Sequence, residues 1–108
     1  MKQHLISRIE HDKEKKLVYN TACLKVTDGN NYSDVYQQLL MFVSETVEES
    51  DCIEFFVVPS NVDKKEFMLW EVWGTSKAFN NHMSMPYTKK ILAKNIIELK
   101  WNEYVENF

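Results

Sequence analysis

The run Glu66-Phe67-Met68-Leu69-Trp70-Glu71-Val72-Trp73, stopped by Gly74, constrains the fold more than any other stretch of this chain. As a strand it puts Phe67, Leu69 and Trp73 on one face and Met68, Trp70 and Val72 on the other, because successive side chains of a strand point to opposite sides. Both faces are apolar, so both need cover. A chain of 108 residues makes one domain, and a small α+β domain covers one face of its sheet with its own helices. The second face then requires a partner. Two copies of the sheet packed face to face would provide it, so the run predicts a homodimer. Left in water, such a strand is an aggregation hazard.

The remaining segments arrange themselves around that strand. Leu17 to Thr27 is rich in β-branched and aromatic residues and ends at the turn signal Asp28-Gly29, which reads as a first strand. Asn30, Asn31 and Ser33 offer helix caps, and Val35, Leu39, Leu40, Phe42, Val43 and Val47 recur at helical spacing behind them. Glu45, Glu48, Glu49 and Asp51 gather at the end of that helix, the pole where acids are unfavourable, so it should stop by Ser50. Cys52 to Val58 reads as a second strand closed by Pro59, and Ser60 to Lys65 as a polar connection. After Gly74, Thr75 or Ser76 caps a short helix holding Ala78, Phe79, His82 and Met83. Pro86 suits the first position of another helix, with Tyr87, Ile91, Leu92 and Ile96 on one side and Leu99 at its far end. Lys100 to Phe108 reads as a last strand. The order β-α-β-β-α-β is the split pattern of an α+β, ferredoxin-like subunit with an antiparallel sheet, over residues 17–108. Residues 1–16, strongly charged around Leu5, Ile6 and Ile9, read as an N-terminal extension.

Composition removes several function classes. Thirteen Lys and Arg against sixteen Asp and Glu give a net charge of −3, and no basic block is long enough to attract nucleic acid. The longest apolar run is Leu39 to Val43, far short of the roughly 20 residues that span a bilayer. The charges before Leu17 fit no signal peptide, so a cytoplasmic protein is expected. Two glycines cannot build a dinucleotide or phosphate loop, and His4, His11 and His82 are too scattered for a metal motif. Cys23 and Cys52 sit in apolar stretches and read as buried, reduced thiols. No metal or cofactor is expected.

Three polar residues stand out in the apolar segments. His82 follows Ala78 by four residues and Phe79 by three, so it points with them toward the sheet. Near its ordinary pKa of about 6.5 a histidine serves as acid, base or orienting donor, although it also serves as a core residue satisfied internally. Glu71 is a carboxylate in a strand apolar on both faces, which must be paired or open to a pocket. Asn20 is a polar side chain inside the first strand. Around them Tyr19, Tyr87, Tyr104, Trp70, Trp73 and Trp101 could line a cavity for a flat organic ligand.

The pattern Phe67-x-Leu69-x-Glu71-x-Trp73, then Ala78-Phe79-x-x-His82, then Met85-Pro86-Tyr87, resembles the signature of antibiotic biosynthesis monooxygenase (ABM) domains, which include quinol monooxygenases. The resemblance covers roughly residues 17–107. It implies a dimeric α/β barrel of ferredoxin-like subunits, oxidising phenols or quinols with dioxygen and without metal or flavin. It further implies a pocket between sheet and helices that His82 and Asn20 can reach; joined to the residue chemistry above, this makes His82, Asn20 and Glu71 the expected catalytic residues and Trp73, Trp70, Tyr87 and Phe79 the expected substrate contacts. Three features depart from the family pattern: Asp51 where a glycine is frequent, Tyr87 where a histidine often follows the proline, and the extension itself. Ile91 and Leu92 stand where haem-degrading relatives need a histidine, which disfavours haem. Two other readings share the scaffold: an isomerase or degrading enzyme for a small oxygenated metabolite, and a non-catalytic dimeric binding module.

Overall fold

The computed structural model describes residues 16–106, so the extension assigned to residues 1–16 lies outside the described residues except for Lys16. Strand β1 (Val18–Val26) ends where Asp28-Gly29 turns the chain, Gly29 taking a φ of 84°, which a glycine enters without steric cost. Helix α1 (Tyr32–Thr46) starts at Asn31, whose side chain accepts from the backbone N–H of Asp34. Strands β2 (Cys52–Asn61) and β3 (Glu66–Trp73) form a hairpin. Helix α2 (Ser76–Met83) is capped by Thr75, which accepts from the Ala78 N–H, and helix α3 (Pro86–Ala93) opens with its proline. Strand β4 (Ile97–Glu106) closes the order.

All neighbouring strands are antiparallel in the sheet order β2-β3-β1-β4, which with the helices makes a ferredoxin-like α+β fold. Two boundaries differ from the sequence reading. Pro59 does not close β2; the strand continues to Asn61, because β2 is an edge strand where a missing N–H is tolerated, and the register slips just beyond the proline. Leu99 belongs to β4 rather than to α3, which ends at Ala93; Asn95, with a φ of 54°, turns the chain into the strand.

The core lies between the helices and the inner face of the sheet. Phe67 is fully buried, with Tyr32 stacked on it at 4.3 Å and Tyr36 at 5.4 Å, among Val26, Val35, Leu39, Val57 and Ile91. A second cluster joins Val18, Phe55, Trp73 and Ala78 under α2. Among the described residues nothing covers the outer face: Trp70 is 45% exposed, and Phe56, Val58, Trp101 and Val105 are exposed around it. Among the described residues no helix is long and apolar enough to cross a membrane.

Candidate functional site

The register of β1 on β3 sets Asn20 beside Glu71 on the inner face. The Asn20 amide donates from Nδ2 to Glu71 Oε2 at 2.8 Å, and the Trp73 indole donates from Nε1 to Glu71 Oε1, also at 2.8 Å. A carboxylate buried to this degree is stable only with donors on its oxygens, and both oxygens have one. Because a carboxylate only accepts, it fixes which way the Asn20 amide faces. Asn20 Oδ1 is turned to β4, where it accepts from Asn102 Nδ2 at 3.2 Å. A polar line therefore crosses the sheet from Asn102 through Asn20 and Glu71 to Trp73.

His82 descends from α2 onto the same region, 2% exposed, its ring 4.9 Å from that of Trp73 and 5.3 Å from that of Phe55. Its Nδ1 lies 2.8 Å from Glu49 Oε2. The carboxylate accepts there, so Nδ1 carries the proton and Nε2 of the neutral ring keeps its lone pair. The Tyr87 hydroxyl donates to the same Glu49 oxygen. Burial, followed by the Glu49 hydrogen bond, pushes the Tyr87 hydroxyl well above its usual range, so it remains a donor. Glu49, just past the C-terminus of α1, thus has two donors that offset its unfavourable place at that pole. The Cys52 thiol is pushed up to about 11, first by burial and then by Glu49, Glu71 and Glu54.

Between the inner face and the helices lies a cavity of about 250 Å³. Its walls are mostly apolar, with Leu39, Phe42, Phe55, Leu69 and Phe79 prominent, and its polar groups come from Asn20, Glu71, His82 and Asn102; Thr88 is also in the lining, with its hydroxyl oxygen buried. An apolar cavity of about 150 Å³ accepts a benzene ring, so this one suits a molecule of one or two fused rings. Met83, Leu92 and Leu99, exposed residues of its lining, mark the way to solvent.

The structure brings His82, Asn20, Glu71 and Phe79 together around this cavity. Trp73 sits one layer back, fully buried, holding Glu71 and packing on His82. Trp70 projects from the opposite face of the sheet, and Tyr87 lies on the far side of Glu49, outside the cavity lining. Thr88, Asn102 and Glu49 were not singled out by the sequence. Asn102 had a weak signal, as a polar residue within the aromatic run of the last strand; Thr88 had none, and Glu49 showed only as an acid at the wrong helix pole. Among the described residues no three His, Cys, Asp or Glu side chains gather as a metal site needs.

The profile of the family described as antibiotic biosynthesis monooxygenase matches residues 18–94. The chain belongs to that family. This ABM chain is 28% identical over 83 residues to the uncharacterized protein YjcS of Bacillus subtilis (strain 168), covering 77% of this chain and 79% of the relative. A solved structure of a protein YjcS superposes with a TM-score of 0.78 at 26% identity, over 82% of the ABM chain and 96% of its own. An ABM-type protein from Chloroflexus aurantiacus J-10-fl superposes with a TM-score of 0.69 at 16% identity, over 85% and 93% of the two chains, and shows the fold alone.

Proposed function

We propose that this ABM chain is a monooxygenase that needs no cofactor and oxidises a small hydroxylated, quinol-like aromatic with dioxygen. The observation that carries the reading is the apolar cavity with His82 and the Asn20–Glu71 pair on its walls. The stoichiometry supports it. A hydroxyarene with an open ring position, plus dioxygen, gives the quinone plus water: one oxygen atom enters the ring, the other leaves as water, and the substrate supplies all four electrons. The protein then has to take the hydroxyl proton, hold the resulting anion and keep water out. Nε2 of His82 is the base, because Glu49 occupies the other nitrogen. Asn20, anchored from behind by Glu71, orients the substrate oxygen; Glu71 acts through Asn20, since both its oxygens already accept hydrogen bonds. In a dry cavity such donors stabilise developing charge far better than water does.

The working unit in this reading is a homodimer. The uncovered face carries Phe56, Val58, Trp70, Trp101 and Val105, and a second copy of the same face fits that chemistry.

Dioxygen uptake with a panel of naphthols and quinols tests the activity. His82→Ala should lower turnover by about 10²-fold or more, the usual contribution of a general base. Turnover that persists under nitrogen, or that ignores the His82 substitution, refutes the reading.

A further inference from the structure

His82 and Glu49 face opposite sides of one wall. His82 lines the inner cavity, whereas Glu49 lines a separate depression on the outer surface, among the exposed residues Ser50, Asp51, Thr75, Lys77 and Asn81. The 2.8 Å contact between His82 Nδ1 and Glu49 Oε2 joins the two. Around the imidazole stand the rings of Trp73, Phe55 and Phe42, at 4.9, 5.3 and 5.5 Å, and the histidine side chain is 3% exposed. A histidine so enclosed takes a proton from a ligand only where something offsets the positive charge it gains, because little water reaches it.

Glu49 is the carboxylate placed to do so. Tyr87, reaching from α3, donates to the same Glu49 oxygen and adds no charge of its own, since burial keeps its hydroxyl protonated. Glu45 on α1, Cys52 on β2 and Glu71 on β3 complete the surroundings; Cys52 is a neutral thiol, and both Glu71 oxygens already accept hydrogen bonds. We infer that Glu49 is a positioning residue whose charge lets His82 accept a ligand's proton, and that Tyr87 holds the carboxylate in place. The step is a proton transfer alone. The ligand's O–H bond breaks, the Nε2–H bond forms, and the Nδ1–H stays on the ring, hydrogen-bonded to Glu49; no electrons are exchanged. The imidazolium then lies between two anions, the ligand in the cavity and Glu49 behind it. A carboxylate behind a histidine base does the same in serine hydrolases. The inference rests on the cavity being the substrate site proposed above, with His82 as its base, but not on the oxygen chemistry.

The test reads the ionisation of a bound probe under nitrogen. 4-Nitrophenol absorbs visible light as the phenolate and not as the neutral phenol, so its spectrum reports whether its proton has passed to the protein. In a buffer that keeps the free probe mostly neutral, the wild type should bind it as the phenolate. Glu49→Gln should lower the ratio of bound phenolate to bound phenol about tenfold or more, the effect of removing one close opposite charge, while equilibrium dialysis still shows the probe bound. His82→Ala should lose the phenolate as well. Glu49→Asp, which restores the charge, should recover part of it, and Tyr87→Phe, which leaves the charge in place, should keep most of it. A phenolate that survives Glu49→Gln, a wild type that binds the probe neutral or not at all, or a Tyr87→Phe loss as large as that of Glu49→Gln overturns the inference. Glu49-dependent phenolate without dioxygen uptake from any quinol upholds it while refuting the monooxygenase.

Discussion

Trp70→Asp tests the dimer through the residue that stands most directly against a monomeric sheet. Trp70 is 45% exposed in the single chain. A tryptophan offers up to about 250 Å² for burial, so the exposed part is about 110 Å². At about 25 cal/mol per Å² its burial contributes about 2.8 kcal/mol. In a two-fold symmetric interface the same residue appears twice, which doubles the loss to about 5.6 kcal/mol per dimer, or about four decades in dissociation constant. The two introduced carboxylates would face each other's apolar surface and add to the loss. If only half of the exposed area becomes interface, about two decades remain, still easily measured. Sedimentation velocity over a micromolar concentration series should show a wild-type dimer and a Trp70→Asp monomer. Because Trp70 points away from the core, the variant should keep its far-ultraviolet circular dichroism. A wild type that stays monomeric at its solubility limit, or a variant that sediments as the wild type does, would refute the reasoning.

Two further expectations concern the groups around Glu49. Glu49→Gln keeps the shape of the acceptor but removes the charge that His82 and Tyr87 both face, with the two side chains only 3% and 10% exposed for His82 and Glu49. Exchanging a charge-assisted hydrogen bond for a neutral one should cost about 1–2 kcal/mol, read as a lower urea midpoint at neutral pH; an unchanged midpoint would mean the pair is screened by solvent. Cys52 sets an alkaline limit. Its folded thiol is pushed up to about 11, so the native state keeps a proton that the unfolded chain has already released. Stability should therefore be full below the ordinary thiol range and fall as pH rises through that range toward 11. Cys52→Ala should flatten part of that fall, the rest belonging to groups such as Tyr87 that are shifted in the same direction. Equal alkaline slopes in the variant and the wild type would count against it.

Much of the fold was legible because it depends on short-range pattern. The bounds of β3 read correctly from alternation and a closing glycine, which require no knowledge of neighbours. The caps of α1 and α2 and the proline start of α3 are equally local. Boundaries failed where a distant element decided them. Pro59 looks like a stop until β2 is known to be an edge, and Leu99 fits a helix stripe until β4 is known to pair with β1 at that point.

The candidate site divides along the same line. Spacing alone directed His82 inward with Ala78 and Phe79, and residue chemistry alone marked Asn20 and Glu71 as polar groups in apolar strands. That they hydrogen-bond to each other depends on the β1–β3 register, a contact across 51 positions of sequence. That Glu49 holds His82 depends on the end of α1 meeting α2, and that the Thr88 hydroxyl is buried depends on the helices closing over the sheet. Side-chain periodicity is a property of the backbone repeat and is written along the chain. A hydrogen bond between distant residues, or the lack of one, is a property of packing, and it comes into being only when the elements meet.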